Sequence, residues 1–188
     1  MPLFDHFGFL APIYDRVIRP PEDERLASAA ALPTAGRLLD AGGGTGRIGQ
    51  GLIGRARQIV VADASLRMLD QARNKAGLHL VACQAEHLPF QTGAFERVVM
   101  VDAFHHLEHQ EHSLAELWRV LTPGGRLVIE EPDILRLPVR LVALAERLAR
   151  MRSRFVRAER IADALMALGA AISICRHRHT AWVIGEKH

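Results

Sequence analysis

The chain has 188 residues, of which 49% are hydrophobic and 24% charged, and its formal net charge is +3. This length and composition predict one domain with a substantial core, with no bilayer-spanning apolar run and no signal-peptide pattern at the first residues. The charge is uneven, because residues from Ile134 onward carry eleven Lys and Arg against four Asp and Glu, a balance of +7 that leaves −4 for residues 1–133.

The chain opens with an apolar, aromatic-rich segment that is closed by Pro20-Pro21. A second helical stretch is predicted from Glu22 to about Leu32, with Leu26, Ala29 and Ala30 facing inward. Aromatic residues ahead of a ligand-binding sheet often fold over its mouth. We therefore expect residues 1–34 to form a helical lid.

The glycine-rich stretch that follows is the most informative part of the sequence. Leu38-Leu39 and Asp40-Ala41 lead into Gly42-Gly43-Gly44-Thr45-Gly46, and a helical pattern begins near Gly46. A strand, a glycine turn and a helix N-terminus together hold a small polar ligand, whereas a plain glycine-rich surface loop is the alternative. Gly44-x-Gly46-x-x-Gly49 also matches the dinucleotide fingerprint. However, a carboxylate at Asp40 repels phosphate and attracts an ammonium or sulfonium group, which favours a ligand without a pyrophosphate.

The central part of the chain alternates short apolar strands with helices. Strands are predicted near 37–41, 58–63, 78–82, 96–101 and 126–131, and helices near 46–56, 66–76 and 110–121. This pattern predicts an α/β protein with a three-layer, doubly wound (Rossmann-like), mostly parallel sheet. Asp63, at the end of the second strand, could accept hydrogen bonds from both ribose hydroxyls of an adenosine group.

After Pro132 the pattern changes to a basic amphipathic helix. Leu137, Leu141, Leu144, Leu148, Met151 and Phe155 recur at helical spacing, and a parallel stripe consists of Arg140, Arg147, Arg150, Arg154 and Arg157. This segment could face an anionic substrate or a membrane surface, or it could simply pack as a lid. A helix over 158–168 follows, and then Ile172–Ile174 and Trp182–Ile184 alternate as two strands.

Several of these stretches resemble the class I S-adenosylmethionine (SAM)-dependent methyltransferases. The Asp40–Gly46 run resembles motif I of that family and is closest to the ubiquinone/menaquinone C-methyltransferase branch and its "type 11" relatives. Gln84-Ala85-Glu86-His87-Leu88-Pro89-Phe90 resembles a second loop of the family, and Glu116-x-x-Arg119-Val120-Leu121-x-Pro123-Gly124-Gly125 a helix end and turn. The resemblance implies a seven-stranded sheet with an antiparallel C-terminal hairpin and a single methyltransferase domain over 1–188. Its parts would be a lid (1–34), a SAM-binding core (35–133), a basic helical lid insertion (134–157) and a helix with a strand hairpin (158–188).

The resemblance also implies the cofactor SAM, the product S-adenosylhomocysteine and a set of binding residues. Gln84 stands where relatives have an aspartate that bonds the adenine amino group, and an uncharged amide should bind it more weakly. The implied cofactor-binding residues are Tyr14, Asp40, Gly42, Gly44, Thr45, Gly46, Asp63, Ala64, Met68, Gln84, Ala85 and Val101.

Candidate catalytic residues follow the fourth strand. His105 is a candidate general base for an acceptor hydroxyl, and Asp102 is a second candidate. A metal site is the alternative for the histidine cluster, since His105, His109 and His112 would share one helix face, but without a cysteine partner we expect no metal.

The expected acceptor is a small molecule, such as a quinol precursor or another apolar or anionic metabolite. No duplex nucleic acid is expected, because no recognition domain is appended. A non-catalytic SAM-binding module and an NAD-dependent oxidoreductase are the alternative functions, and the oligomeric state stays open. Cys83 and Cys175 have no metal-type spacing, so we expect reduced core thiols and a cytoplasmic location.

Overall fold

A computed structural model of the protein describes residues 23–148 and 153–188, so Tyr14 and most of the predicted N-terminal lid lie outside the described residues. The strands are β1 (Thr34–Ala41), β2 (Ala56–Asp63), β3 (Leu78–Ala82), β4 (Phe95–Val101), β5 (Leu121–Pro132), β6 (Ala170–His177) and β7 (Thr180–Lys187). The α-helices are α1 (Asp23–Ala29), α2 (Arg47–Gly51), α3 (Leu66–Ala72), α4 (Gln110–Val120), α5 (Leu137–Leu148) and α6 (Ala158–Ala167), and a 3₁₀ turn covers Phe104–His106.

The seven strands form one sheet in the order β3-β2-β1-β4-β5-β7-β6. Strands β1 to β5 are parallel, whereas β7 runs antiparallel to both β5 and β6. The predicted doubly wound sheet with an antiparallel C-terminal hairpin is therefore confirmed. Because β1 and β4 are neighbours in the sheet but not in the sequence, their carboxyl ends form the switch point where ligands bind in such sheets. The antiparallel β7 also differs from the all-parallel sheet of the NAD-binding Rossmann fold.

Helix α1 packs on the sheet through the residues that were predicted to face inward. Leu26 and Ala30 are fully buried, in a core cluster that also contains Leu38 of β1. The C-terminal end of α1 is satisfied from the sheet, because Arg97 donates to the Ala31 carbonyl and Arg126 to the Ala29 carbonyl. Arginines at a helix C-terminus satisfy carbonyls that lack an intrahelical partner.

Several predicted element boundaries are wrong. Helix α2 ends at Gly51 instead of residue 56, since glycines disfavour helix and Gly54 adopts a left-handed φ of +81°. Helix α3 ends at Ala72 instead of residue 76. Strand β5 starts at Leu121 instead of residue 126, because Leu121 pairs with Phe95 of β4 before residues 122–125 leave the ladder.

The predicted helix across 134–157 is only partly present. The structure describes α5 over Leu137–Leu148, and residues 153–157 are not helical. Arg154, Phe155 and Arg157 therefore do not extend the stripes of α5. The chain there runs beside the turn that follows β4, where Arg154 N–H donates to the His105 carbonyl at 2.6 Å.

The two cysteines have different environments. Cys83 is half-buried against the main core cluster, and burial raises the pKa of its thiol to about 11. Cys175 is exposed on β6, so its prediction as a core thiol is wrong. Within the described ranges no helix is both long and apolar enough to cross a membrane.

Candidate functional site

The glycine turn after β1 lies at the switch point of the sheet. Gly42, Gly44 and Gly46 have φ values of +68°, +55° and +72°, a region that side-chain-bearing residues rarely adopt. A Cβ on Gly42 would lie 2.7 Å from Ala103 Cβ, so the turn after β1 approaches the loop after β4 closely. The loops from the two strands thus form one crevice mouth.

The predicted ribose-binding acid meets the glycine turn directly. Gly44 N–H donates to Asp63 Oδ2 at 2.9 Å, and Ser65 N–H donates to Asp63 Oδ1 at 2.8 Å. A carboxylate has two acceptor oxygens, which is the donor-acceptor match that a pair of ribose hydroxyls requires. The backbone therefore fixes the orientation that this predicted role requires.

The space above Gly44 is a cradle that a side chain would fill. A Cβ placed on Gly44 would lie 3.6 Å from Met68 Cε and 3.9 Å from Asp63 Oδ2. Glycine keeps this space open between an apolar side chain and a carboxylate, the pair of surfaces that an adenosine group needs. The chemistry and shape of these residues fit a bound SAM.

The loop after β3 stands next to this cradle. Cys83 N–H donates to the Asp63 carbonyl at 3.0 Å, which fixes the start of the loop beside the end of β2. Gln84 is exposed and Ala85 is half-buried against the core. Both residues thus lie on a loop that starts beside Asp63, and their contacts with adenine stay a prediction.

The Glu116/Arg119 pair of α4 holds the far end of the same loop. Glu116 accepts from Leu88 N–H at 2.9 Å, and Arg119 donates to the carbonyls of Leu88 and Phe90 at 3.1 and 2.8 Å. The two side chains also bond each other, which lowers the pKa of Glu116. The Glu-x-x-Arg motif therefore anchors the loop after β3, in addition to ending a helix.

Asp40 lies beneath the glycine turn instead of opening into the crevice. Its side chain is 1% exposed, and its Oδ2 accepts from Gly49 N–H at 3.0 Å. Oδ1 is buried without a hydrogen-bond partner within residues 23–148 and 153–188. Burial raises the pKa of Asp40 to about 7 and outweighs the bond from Gly49. The predicted attraction between Asp40 and an ammonium or sulfonium group would therefore act through the glycine turn. It would strengthen as the Asp40 carboxyl ionises near pH 7.

This raised pKa predicts a pH-dependent stability. A folded-state pKa of about 7 against the ordinary value of 3.8 for an aspartate means that the native state binds more protons between these values. The free energy of unfolding should then fall as pH rises from about 4 to 7, with a slope approaching about 1.4 kcal/mol per pH unit from this group. Urea unfolding of wild type and of Asp40→Asn at several pH values in this interval measures the pH slope of the free energy of unfolding. Equal pH slopes in the two proteins would contradict the assignment.

A buried histidine–carboxylate pair lies on the other side of the crevice mouth. His105 Nδ1 is 2.6 Å from Glu131 Oε2, and the two residues are only 4% and 6% exposed. Glu131 also accepts from Phe104 N–H at 2.8 Å, so one carboxylate organises the whole 3₁₀ turn. A carboxylate at Nδ1 favours the tautomer with its proton there and leaves Nε2 as the basic nitrogen.

Sequence reasoning missed Glu131. It is the last charged residue of β5. The available signal was an acid at the carboxyl end of a strand, which is also how Asp63 was recognised.

Two aromatic rings lie against His105. Phe155 stacks on His105 with ring centroids 4.3 Å apart and an interplanar angle of 16°. The His106 ring is tilted by 50° to that of His105 with ring centroids 3.8 Å apart, and its pKa is lowered to about 3 by burial and then by His105.

Asp102 stands where β4 ends. Its φ is +52°, and its N–H donates to the Glu130 carbonyl at 3.0 Å. Burial, and then repulsion from Glu131, raise the pKa of Asp102. The two predicted catalytic side chains, Asp102 and His105, are therefore both within electrostatic reach of Glu131.

The remaining predicted site residues differ in accessibility. Thr45 and Met68 are buried around the glycine turn, and Ala64 is exposed next to Asp63. Val101 is buried in a core cluster with Val128 and Trp182, so only its backbone is close to the crevice.

The histidine cluster does not share one helix face as predicted. His105 is in the 3₁₀ turn, whereas His109 and His112 mark the start of α4 with ring centroids 5.8 Å apart. In the described part of the chain no group of three or more His, Cys, Asp or Glu side chains is placed to hold a metal ion.

Comparison with known proteins identifies relatives of this chain. A family model described as "Methyltransferase domain" matches residues 39–129. A demethylmenaquinone methyltransferase of Deinococcus radiodurans is 40% identical over 139 residues, which cover 66% of this chain and 58% of that protein. A chloroplastic 2-methyl-6-phytyl-1,4-hydroquinone methyltransferase of Oryza sativa subsp. japonica is 32% identical, covering 65% of this chain and 38% of that protein. The chain thus spans roughly two fifths to three fifths of the length of these relatives.

A solved structure has the same fold. A SAM-dependent methyltransferase of Thermotoga maritima, described as a possible histamine N-methyltransferase, superposes with a TM-score of 0.80 over 97% of this chain and 98% of that one. At 21% identity this likeness extends to the fold alone.

Proposed function

We propose that the chain, whose residues 39–129 match a methyltransferase domain, transfers the methyl group of SAM to a small phenolic acceptor of the quinol type. The observation that carries this proposal is the 2.9 Å contact between Gly44 and Asp63 at the switch point. It places the space above Gly44 next to the Asp63 carboxylate, which would accept hydrogen bonds from the two ribose hydroxyls. The His105–Glu131 pair lies across the same mouth and supplies a base.

The cofactor would be held by backbone and side chains already described. Gly42, Gly44 and Gly46 would line the amino acid part with backbone, Asp63 would accept from the ribose, and Met68, Gln84 and Ala85 would surround the adenine. SAM supplies a methyl group that its sulfonium already activates, so the protein mainly positions the acceptor and excludes water.

The acceptor class follows from the base and from the relatives. Two relatives carry the names of a demethylmenaquinone and a hydroquinone methyltransferase, and a hydroquinone has an acidic hydroxyl on its ring. His105 would accept that proton at Nε2 while Glu131 holds its Nδ1–H, which makes the acceptor ring electron-rich. Asp102, with its raised pKa, would donate a hydrogen bond to the same oxygen in its neutral form.

The test is a transfer assay with the purified full chain, SAM and a short-chain demethylmenaquinol kept reduced, scored by S-adenosylhomocysteine formation. Product should form with the quinol and not with the oxidised quinone, which has no hydroxyl proton for His105. SAM should raise the melting temperature and NAD should not. SAM binding without turnover of any phenolic acceptor would favour a non-catalytic SAM-binding module, and a shift with NAD alone would favour an oxidoreductase.

A further inference from the structure

Helix α5 turns its leucine stripe away from the protein. Leu137, Leu141 and Leu144 are 66%, 60% and 53% exposed, whereas Val139 is 6% exposed. Successive helical residues are about 100° apart, so Leu137 and Leu141 lie within about 40° of each other and Val139 lies about 160–200° away from both. The helix therefore contacts the fold through its Val139 side, and its more apolar side faces solvent.

The exposed surface continues beyond the stripe. Leu135, just before α5, and Val142, on the next face, are 50% and 53% exposed. We call the three leucines of the stripe (Leu137, Leu141 and Leu144) the α5 apolar face. An exposed apolar stripe of this kind marks an interaction site.

The charges beside the α5 apolar face are positive. Arg136 and Arg140 are exposed one helical turn apart, on the flank of the leucine stripe. Arg136 is within 3.6 Å of Asp133, but that carboxylate is only 3% exposed and is also approached by Arg176. Across residues 134–145 the sequence has these two arginines and no acid.

We propose that α5 is a docking surface for an anionic lipid bilayer, lying parallel to the membrane with the α5 apolar face in the headgroup region. A row of leucines flanked by arginines fits this partner, because the leucines enter the acyl boundary while the guanidinium groups stay with lipid phosphates. Positive charge without acids on the flank matches an anionic surface and repels a basic one. This inference goes beyond methyl transfer, and binding to lipid does not depend on it.

The chain after α5 connects this surface to the crevice mouth. Ser153 Oγ is 3.2 Å from His106 Nδ1, and Phe155 stacks on His105. Gln110 Nε2 of α4 donates to the Arg154 carbonyl at 2.9 Å and holds the segment in place. Only a few residues separate α5 from these contacts, so docking through α5 would hold the His105 side of the crevice near the lipid surface, where an apolar acceptor would concentrate.

Co-sedimentation of the full-length protein with vesicles tests the inference without cofactor or acceptor. We use phosphatidylcholine vesicles with and without phosphatidylglycerol, an anionic lipid. The phosphatidylglycerol content is chosen to give a surface potential of about −30 mV, as in a cytoplasmic leaflet. Wild type should bind the anionic vesicles, and the partition coefficient should fall at least about tenfold for Leu137→Ser/Leu141→Ser. Arg140→Gln should weaken binding to anionic vesicles only, and added salt should weaken it as well.

Met166→Ser provides the matched control, because Met166 is 51% exposed on α6, outside the α5 apolar face. It should bind vesicles as wild type does, and all variants should keep the wild-type melting temperature. Equal binding by the leucine variant, or no binding by wild type, overturns the inference. So does a dimer in light scattering that Leu137→Ser/Leu141→Ser converts to a monomer, since a second copy would then cover the face. These readouts stay valid if the transfer assay fails.

Discussion

Replacing His105 with glutamine should lower kcat for methyl transfer about 10²–10³-fold while the Kd for SAM stays within about twofold. The reason is that His105 Nε2 is the basic nitrogen at the crevice mouth, whereas the cofactor cradle is built from other loops. Steady-state kinetics with the reduced quinol, together with calorimetry of SAM binding, separate the two effects.

Steady-state kinetics of Glu131→Gln test the role of Glu131 as the residue that positions His105. This variant keeps an acceptor for Phe104 N–H but loses the carboxylate that holds the Nδ1–H tautomer of His105. We expect about a 10–100-fold loss of kcat, with KM and the Kd for SAM within about twofold of wild type. A merely structural Glu131 would lower the melting temperature and leave kcat of the folded protein unchanged.

Two controls guard against loss of folding. His105→Gln leaves the Glu131 carboxylate buried without its histidine, so the double variant His105→Gln/Glu131→Gln removes that charge as well. It should fold and bind SAM but remain inactive. His112→Gln, an exposed histidine on α4, should keep wild-type kcat. Full activity in His105→Gln would rule out the proposed base.

The second large effect is expected at the glycine cradle. Gly44→Ala should raise the Kd for SAM at least about 30-fold, which corresponds to about 2 kcal/mol. The added Cβ would occupy the space between Met68 Cε and Asp63 Oδ2 without clashing with either, at 3.6 and 3.9 Å. Isothermal calorimetry with SAM measures the loss.

Gly54→Ala is the matched control for backbone strain. Gly54 also has a left-handed φ, +81°, but a Cβ there would meet nothing within 4 Å. Both alanines should lower the free energy of unfolding by about 1–2 kcal/mol, because each would adopt a left-handed backbone conformation. Only the alanine at position 44 should weaken SAM binding. Unchanged SAM affinity in Gly44→Ala would exclude the cradle as the cofactor site.

The sequence was sufficient to predict the sheet and half of the crevice. The glycine turn needs backbone conformations that only glycine adopts easily, and Asp63 follows an apolar strand, so both can be recognised from local order. Glu131 has the same local signal, an acid at the carboxyl end of a strand, but that signal does not identify His105 as its partner. The role of Glu131 depends on how the 3₁₀ turn packs on the end of β5. An acidic residue at the end of a strand is common and does not by itself indicate a site.

Helix α5 illustrates a different limit. Periodicity gave the leucine stripe, but it cannot say which side of a helix meets the protein. In the structure α5 buries Val139 and leaves the described leucines of the stripe exposed, and the chain is anchored on both sides of the helix. Asp133 N–H donates to the His179 carbonyl before the helix, and Arg154 N–H donates to the His105 carbonyl after it.

The order of the strands has a consequence for the newly made chain. Glu131 belongs to β5, which is flanked by β4 and by β7, and Glu131 is paired with Ala181 in that second ladder. The glycine turn and Asp63 leave the ribosome more than a hundred residues before β7 does, and protein synthesis adds about 5–20 residues per second. The glycine turn and Asp63 are therefore translated several seconds ahead of β7, the strand that pairs with β5 at Glu131. Nascent chains would meet the cofactor before they are able to use it.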